Sequence, residues 1–254
     1  MPDSGFIRSP LLQKHGVNGL FTLRSGGFSP PPYDSQNFAY GPGDQDVHVD
    51  RNLNHLVKQA GLNGHPHQAV QVHATDTLYC SGSGSMHEQA ADILLTDQRN
   101  TPVAVRTADC LPILLADNQA GIVVAAHAGW RGTVAQVAVK AVQQMLGRGA
   151  VAERIIASLG PCIGPCCFAI GEEAARELAN CCHGAGRFVT GREQRYADLW
   201  QINRLQLLQS GLNEAHIELF NECTCCNPER YFSYRRDGQQ SGRHLGVVEL
   251  GCKP

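Results

Sequence analysis

Cys110 and His127 stand in an otherwise apolar stretch, RTADCLPILLADNQAGIVVAAHAGWRGT, residues 106–133, with Arg106 and Arg131 near its two ends. A thiolate and an imidazole are good ligands for a transition metal, and the same pair can act as nucleophile and base. The stretch divides into two β-rich runs, CLPILLAD (110–117) and GIVVAAHAG (121–129), joined by the turn-like DNQAG. An antiparallel pairing about that turn brings Cys110, at one strand's start, and His127, near the other's end, to the same edge. His73, which closes the run AVQVH (69–73), can supply a third ligand. Two imidazoles and one thiolate leave the fourth tetrahedral position of zinc open, as catalytic zinc sites do. Spacing alone leaves a plainer alternative standing, with Cys110 a small core residue and His127 a hydrogen-bonded strand-end histidine.

Several further residues suit anion or sugar chemistry. Arg24 precedes Ser25-Gly26-Gly27, and Arg131 lies between Gly129-Trp130 and Gly132-Thr133, just before a helical run. A guanidinium offers a planar fork to two phosphate oxygens, and a helix start favours negative charge. A surface ion pair is the alternative for either arginine. Asp109 is a candidate acid, base or ligand orienter, although period-two alternation points it away from Cys110. Asn37, in the irregular loop 29–46, suits a ribose hydroxyl or a turn. Arg235, within Tyr234-Arg235-Arg236-Asp237, marks a second basic edge or a solvated turn.

The elements that must position these side chains follow from periodicity. Strands are predicted over 16–27, 69–73, 92–96, 102–107, 110–117, 121–129, 154–160, 216–220 and 244–250, from β-rich runs bounded by turn residues. Helical stripes cover 49–62, 133–149, 171–182 and 199–211. Strand and helix alternate without a clean linker, which predicts one α/β domain over 1–254, with mixed sheet layers flanked by helices.

Composition narrows the field. The chain has 254 residues, 43% of them hydrophobic and 17% charged, enough for a substantial core. A net charge of -2 supplies no broad attraction for nucleic acid or an anionic membrane. No apolar run is long enough for a bilayer span, and the start MPDSGFIRSPLLQKHG lacks the apolar centre of a secretory signal, so a cytoplasmic protein is expected. Eleven cysteines, an odd number, therefore read as reduced thiols. Cys162, Cys166, Cys223 and Cys225 could form half of a structural zinc site, or be small buried residues.

Long ordered stretches along nearly the whole chain carry a resemblance: FTLRSGG, NFAYGPGDQDVHVDRN, QVH, TADCLPILLAD, AAHAGWRGT, SLGPCIGPCCFAIGEE and YFSYRRDGQQSGR. They resemble the YfiH family, long labelled multi-copper polyphenol oxidase or laccase-domain proteins. The resemblance implies a zinc site of His73, Cys110 and His127, and a fold related to bacterial toxin deamidases. It also implies phosphorolysis of adenosine, inosine and methylthioadenosine, with adenosine deamination as a further activity. Purine nucleosides and phosphate are then the partners. Cys110, Arg24, Asp109 and Arg131 become the catalytic candidates, and Arg24, Asn37, Arg131 and Arg235 the substrate-binding ones. One departure stands out: Ala74 follows His73 where the family pattern has glycine. Alanine disfavours a positive φ there, so the backbone beyond the ligand is expected to sit differently.

The copper label can be weighed by ligand count. Two histidines and a cysteine can hold copper, so copper binding in vitro is compatible with the trio. A trinuclear oxidase cluster needs several His-x-His pairs, and this chain has only His65-Pro66-His67. Two other readings remain distinct in kind. A metal-independent hydrolase of amides or esters, such as an editor of cell-wall precursors, would use Cys110 as nucleophile and His127 as base. A binding module would use metal structurally, without turnover.

Overall fold

The computed structural model describes residues 5–41 and 43–251. The readings above that fall on residues 1–4, 42 and 252–254, the start of the chain among them, lie outside the described residues. The architecture is a mixed α/β arrangement of sheets flanked by helices.

Its centre is a six-stranded sheet in the order Ile217–Leu219, Ile156–Leu159, Leu111–Asp117, Ile122–Ala128, Ile93–Thr96, Thr77–Tyr79. The two outermost pairings are parallel and the inner three antiparallel. Both strands of the predicted 110–129 hairpin are buried along their whole length. Leu111, Ile113 and Leu115 pack towards helices Val137–Leu146 and Leu199–Gln209. Leu114 and Ala116 face instead Phe21, Val103, Val105 and Val248 of a second sheet. Both faces are covered, which is why these strands read as unbroken apolar runs.

The second sheet is antiparallel throughout, in the order Phe6–Arg8, Val17–Thr22, His244–Leu250, Val103–Thr107. On its outer face Leu20, Ala104, Leu245 and Val247 meet Val49, Leu53 and Leu56 of helix Asp46–Ala60. That helix ends where Gly61 adopts φ 66, the left-handed cap glycine tolerates best. The layers therefore run helix, sheet, sheet, helices. A three-stranded and a two-stranded sheet complete the described fold.

Three differences from the sequence-based expectations bear on the site. The strand expected over 69–73 ends at Val70, and His73 lies beyond it with φ 62. The helix expected over 133–149 is two, Trp130–Val134 and Val137–Leu146, separated by Gln136 at φ 61. The break is satisfied by buried partners: the Gln206 amide donates to the Thr133 carbonyl and Asn203 to its hydroxyl. The run 234–237, read as a basic edge or a turn, is a short helix capped by Ser233. Among the described residues no helix is long and apolar enough to cross a membrane.

A candidate metal centre in an arginine-lined cavity

The hairpin register pairs Leu111 with Ala128 and Pro112 with His127, so Cys110 and Gly129 flank the same sheet edge. His73 arrives from the turn after Gln68–Val70. The side-chain donor atoms of His73, Cys110 and His127 all lie within 4.8 Å of one another, with Cys110 Sγ 3.8 Å from His73 Nε2. The two imidazoles meet edge to face at 4.8 Å between centroids.

One buried carboxylate organises the trio. Asp92 sits just before strand Ile93–Thr96 and accepts the backbone N–H groups of Val72, His73 and Ala74 at 2.8–3.1 Å. Its Oδ1 also stands 2.7 Å from His127 Nδ1. Asp92 therefore holds the turn that carries His73 at positive φ, and fixes the His127 ring so that Nε2 is free to face the other donors. The positive φ falls on the ligand itself and not on Ala74, so alanine there carries no left-handed strain. Sequence reasoning missed Asp92, whose only signal was an acid opening the apolar run DILLT.

Space and charge both suit a metal ion. A Cβ built on Gly129 would stand 2.7 Å from the His73 ring and 3.1 Å from Cys110 Sγ, so only glycine lets the backbone pass this close. Burial alone would push the Cys110 thiol up, but the charge of His127 and hydrogen bonds from both imidazoles bring it down to about 6. Burial would likewise depress His127, yet the Cys110 thiolate and Asp92 raise it to about 9. A ready thiolate beside two imidazoles is the donor set of a borderline-soft cation.

The trio lies in the wall of a cavity of about 600 Å³. Three arginines, Arg106, Arg235 and Arg243, line it together with Gln71, Asp109, Phe168 and Tyr234. Arg106 and Arg243 meet through sheet register: Leu245 pairs with Arg106 and His244 with Thr107, which sets Arg243 diagonally beside Arg106 at the strand's end. Arg106 donates to the Ala69 carbonyl and the Met86 sulfur, and Arg243 to the carbonyls of Ser241 and Gly242. Among the described residues neither joins an ion pair with a carboxylate. Burial pushes both guanidiniums below their ordinary pKa, and the charge of Arg243 adds to that at Arg106. An anion between them relieves both strains.

The other expected site residues go to different places. Arg24 does not line the cavity; its nitrogens donate to the Asp34 and Pro228 carbonyls and to the Asp34 carboxylate, with its guanidinium stacked over Phe232 at 4.9 Å. Arg131 is exposed and stacks over Trp130 at 4.3 Å, also outside the cavity lining. Asn37 lines a neighbouring cavity, but its amide is engaged by Ala39, Asp44 and the Arg243 backbone N–H. Asp109 borders the main cavity at φ 85, with its carboxylate taken by Thr224 and Ser233 hydroxyls and the Arg235 N–H at 2.6–3.0 Å. Both side chains are thus engaged by partners within the protein. Arg235 does reach the cavity, gripping the Cys167 and Ala169 carbonyls at 3.0 Å.

Arg106 carried a sequence signal, a charge inside the apolar run PVAVRT shortly before Cys110. Arg243 carried none, because only strand pairing brings it there.

Fold and site together define a mixed α/β protein with a two-histidine, one-cysteine centre opening on a cationic cavity. Residues 18–251 match the family model described as multi-copper polyphenol oxidoreductase laccase, and the chain belongs to that family. It is 36% identical over 239 residues to the protein named purine nucleoside phosphorylase YfiH of Escherichia coli strain K12, covering 94% of this chain and 96% of that one. It is 32% identical over 252 residues to human purine nucleoside phosphorylase LACC1, covering 96% of this chain but only 58% of the human protein's length. Among solved structures, the hypothetical protein YfiH of Bacillus licheniformis superposes with a TM-score of 0.91 at 26% identity, covering 98% of this chain and 97% of that chain.

Proposed function

We propose that this chain is a metal-dependent purine nucleoside phosphorylase, acting as one catalytic unit over 1–254 in the cytoplasm, with zinc held by His73, Cys110 and His127. The observation that carries this reading is the pairing of that trio with Arg106 and Arg243 in one cavity, in a chain whose relatives bear the phosphorylase name. Three protein ligands leave a position open, and zinc bound there supplies Lewis-acid polarisation of a substrate oxygen.

The chain's own residues do the rest. Arg106 and Arg243 grip phosphate, with Arg235 at the rim, replacing the expected Arg24 and Arg131 in that role. Phe168 and Tyr234 offer aromatic faces to the purine. A phosphate oxygen attacks C1′ as the C1′–N bond breaks, and the bond's electron pair leaves with the base. The base takes up a proton, giving ribose 1-phosphate and free purine. Adenosine, inosine and methylthioadenosine are the substrates, and adenosine deamination, in which water attacks C6 as the C6–N bond breaks and ammonia leaves to give inosine, is a further activity. Two histidines and one cysteine also accept copper in vitro, without providing a trinuclear cluster.

The test is zinc-loaded, copper-free protein given inosine and phosphate, with hypoxanthine and ribose 1-phosphate measured. Zinc protein inert towards every purine nucleoside, beside copper protein that oxidises phenols over many turnovers, would overturn the reading.

A second reading rests on Asp92. Without metal, Cys110, His127 and Asp92 stand in the order of a thiol nucleophile, its base and the base's orienter. A metal-free preparation that cleaves an amide or ester, and loses that activity on adding zinc, would favour this hydrolase.

A further inference from the structure

We propose that Cys166, Cys167, Cys223 and Cys226 bind one zinc-type divalent cation as a closed tetrathiolate site, separate from the centre in the cavity. Their four sulfurs all lie within 4.8 Å of one another. Cys226 Sγ stands 3.4 Å from Cys166 Sγ and 3.3 Å from Cys167 Sγ. A tetrahedral ion with sulfur at about 2.3 Å needs sulfurs roughly 3.8 Å apart, whereas a disulfide needs about 2.05 Å. The cluster has the spread of ligands around a single ion.

The backbone is built for it. Cys162 and Cys223 form a parallel bridge, and each chain then turns back on itself, through 165–167 and 224–226. The first turn presents adjacent cysteines and the second a C-x-x-C pair. The Gly164 N–H donates to Cys223 Sγ at 3.2 Å, a bond that supports a thiolate. A Cβ on Gly164 would stand 3.2 Å from Cys223 Cβ and 3.3 Å from Cys166 Sγ, so glycine is what lets the turn close over the sulfurs. Arg235 grips the Cys167 carbonyl, and Arg236 those of Thr224 and Cys225, placing two cations against a site whose four thiolates would outweigh a divalent ion.

Of the expected set Cys162, Cys166, Cys223 and Cys225, only Cys166 and Cys223 fall within this cluster. Cys162 is buried with its thiol on the Ile163 carbonyl, and Cys225 packs against the hydrophobic core. The alternative trio His67, Cys80 and His87 is a weaker candidate. His67 already spends Nδ1 on His87 at 2.8 Å and Nε2 on the Gly82 carbonyl at 3.3 Å.

An ion here would lock two turns that hold side chains lining the cavity. Thr224 holds Asp109, and the Cys167 carbonyl holds Arg235. With four protein ligands and no open position, the role is architectural.

The experiment is metal analysis of full-length protein purified without chelator, together with cobalt substitution. Cys223→Ser/Cys226→Ser should lose about one zinc per chain relative to wild type, whatever the cavity site holds. His73→Ala/His127→Ala should keep that ion, so failure of the cavity site and failure of this one read differently. Cys225→Ser should keep it too. Cobalt-loaded His73→Ala/His127→Ala protein should show the intense tetrahedral thiolate bands, and adding Cys223→Ser/Cys226→Ser to it should lose them. Equal zinc in wild type and Cys223→Ser/Cys226→Ser, or no thiolate bands in cobalt-loaded His73→Ala/His127→Ala protein, would overturn the proposal. So would a disulfide from Cys226 in unreduced wild type.

Discussion

Two sulfur-bearing clusters in this molecule use similar ligands in opposite settings. Cys110 shares its place with two imidazoles in the wall of a cavity, backed by a buried carboxylate and faced by arginines. Cys166, Cys167, Cys223 and Cys226 lie outside the lining of that cavity and form a group without an imidazole; they close two turns on each other, with Cys166 and Cys226 exposed. On the proposed reading, three ligands beside an open cavity would leave room for substrate, whereas four in paired turns would leave none. What separates the two proposed roles is the number of donors and their surroundings, not the presence of thiols.

That contrast breaks first at the cavity. Cys110→Ala or His127→Ala should cost phosphorolysis about a thousandfold or more, because several kcal/mol of charge stabilisation go with the metal. Hypoxanthine release from inosine measures it, and activity within tenfold of wild type would detach the trio from the reaction.

The thiols themselves should titrate differently. In metal-stripped protein Cys110 has its thiolate favoured, so the charged form persists above about 6 and is lost as pH falls through that value. Alkylation mapped by peptide mass should therefore hold at Cys110 from pH 9 down to about 6 and drop below it. Cys80, which burial pushes up to about 12, should stay unlabelled throughout. Labelling of Cys110 only at alkaline pH would mean that the imidazole pair does not support a thiolate.

Asp92→Asn keeps the shape but weakens the acceptor behind His127 and the His73 turn. Zinc affinity at the cavity should fall about ten- to a hundredfold, read by competition with a chromophoric chelator. Arg106→Lys and Arg243→Lys keep the charge and lose the fork. Each should raise the phosphate KM by about tenfold, the value of one charge-assisted hydrogen bond. The smallest effect belongs to Arg24→Lys and Arg131→Lys, whose guanidiniums lie outside the cavity; phosphate KM should move by less than about twofold. A larger rise there than at Arg106 would return the anion site to the residues the sequence first suggested.

The hairpin was legible from the chain alone, because both its strands and its turn are local. Two apolar runs and a four-residue connection suffice to bring Cys110 and His127 to one edge, and the register bears this out. Most helices and strands were equally legible within a few residues, since burial imposes their periodicity directly, but the break at Gln136 inside the run 133–149 was not. Residues in contact through distant pairing were not. Asp92 acts through a turn that holds His73 at positive φ, a conformation no local pattern announces. Arg24 and Arg131 looked like anion ligands from their glycine-rich neighbours, yet Asp34 and Trp130 claim them.

The sequence by itself determined the candidate donor residues, the hairpin that joins two of them, and the family. Tertiary structure alone decided which arginines face the cavity and which four cysteines meet. Pairing of His244–Leu250 with Val103–Thr107 sets Arg243 beside Arg106, and the Cys162–Cys223 bridge aligns two turns from distant parts of the chain. Side-chain alternation is fixed within a strand by covalent geometry, but which strand lies next to it is settled only when the sheets pack.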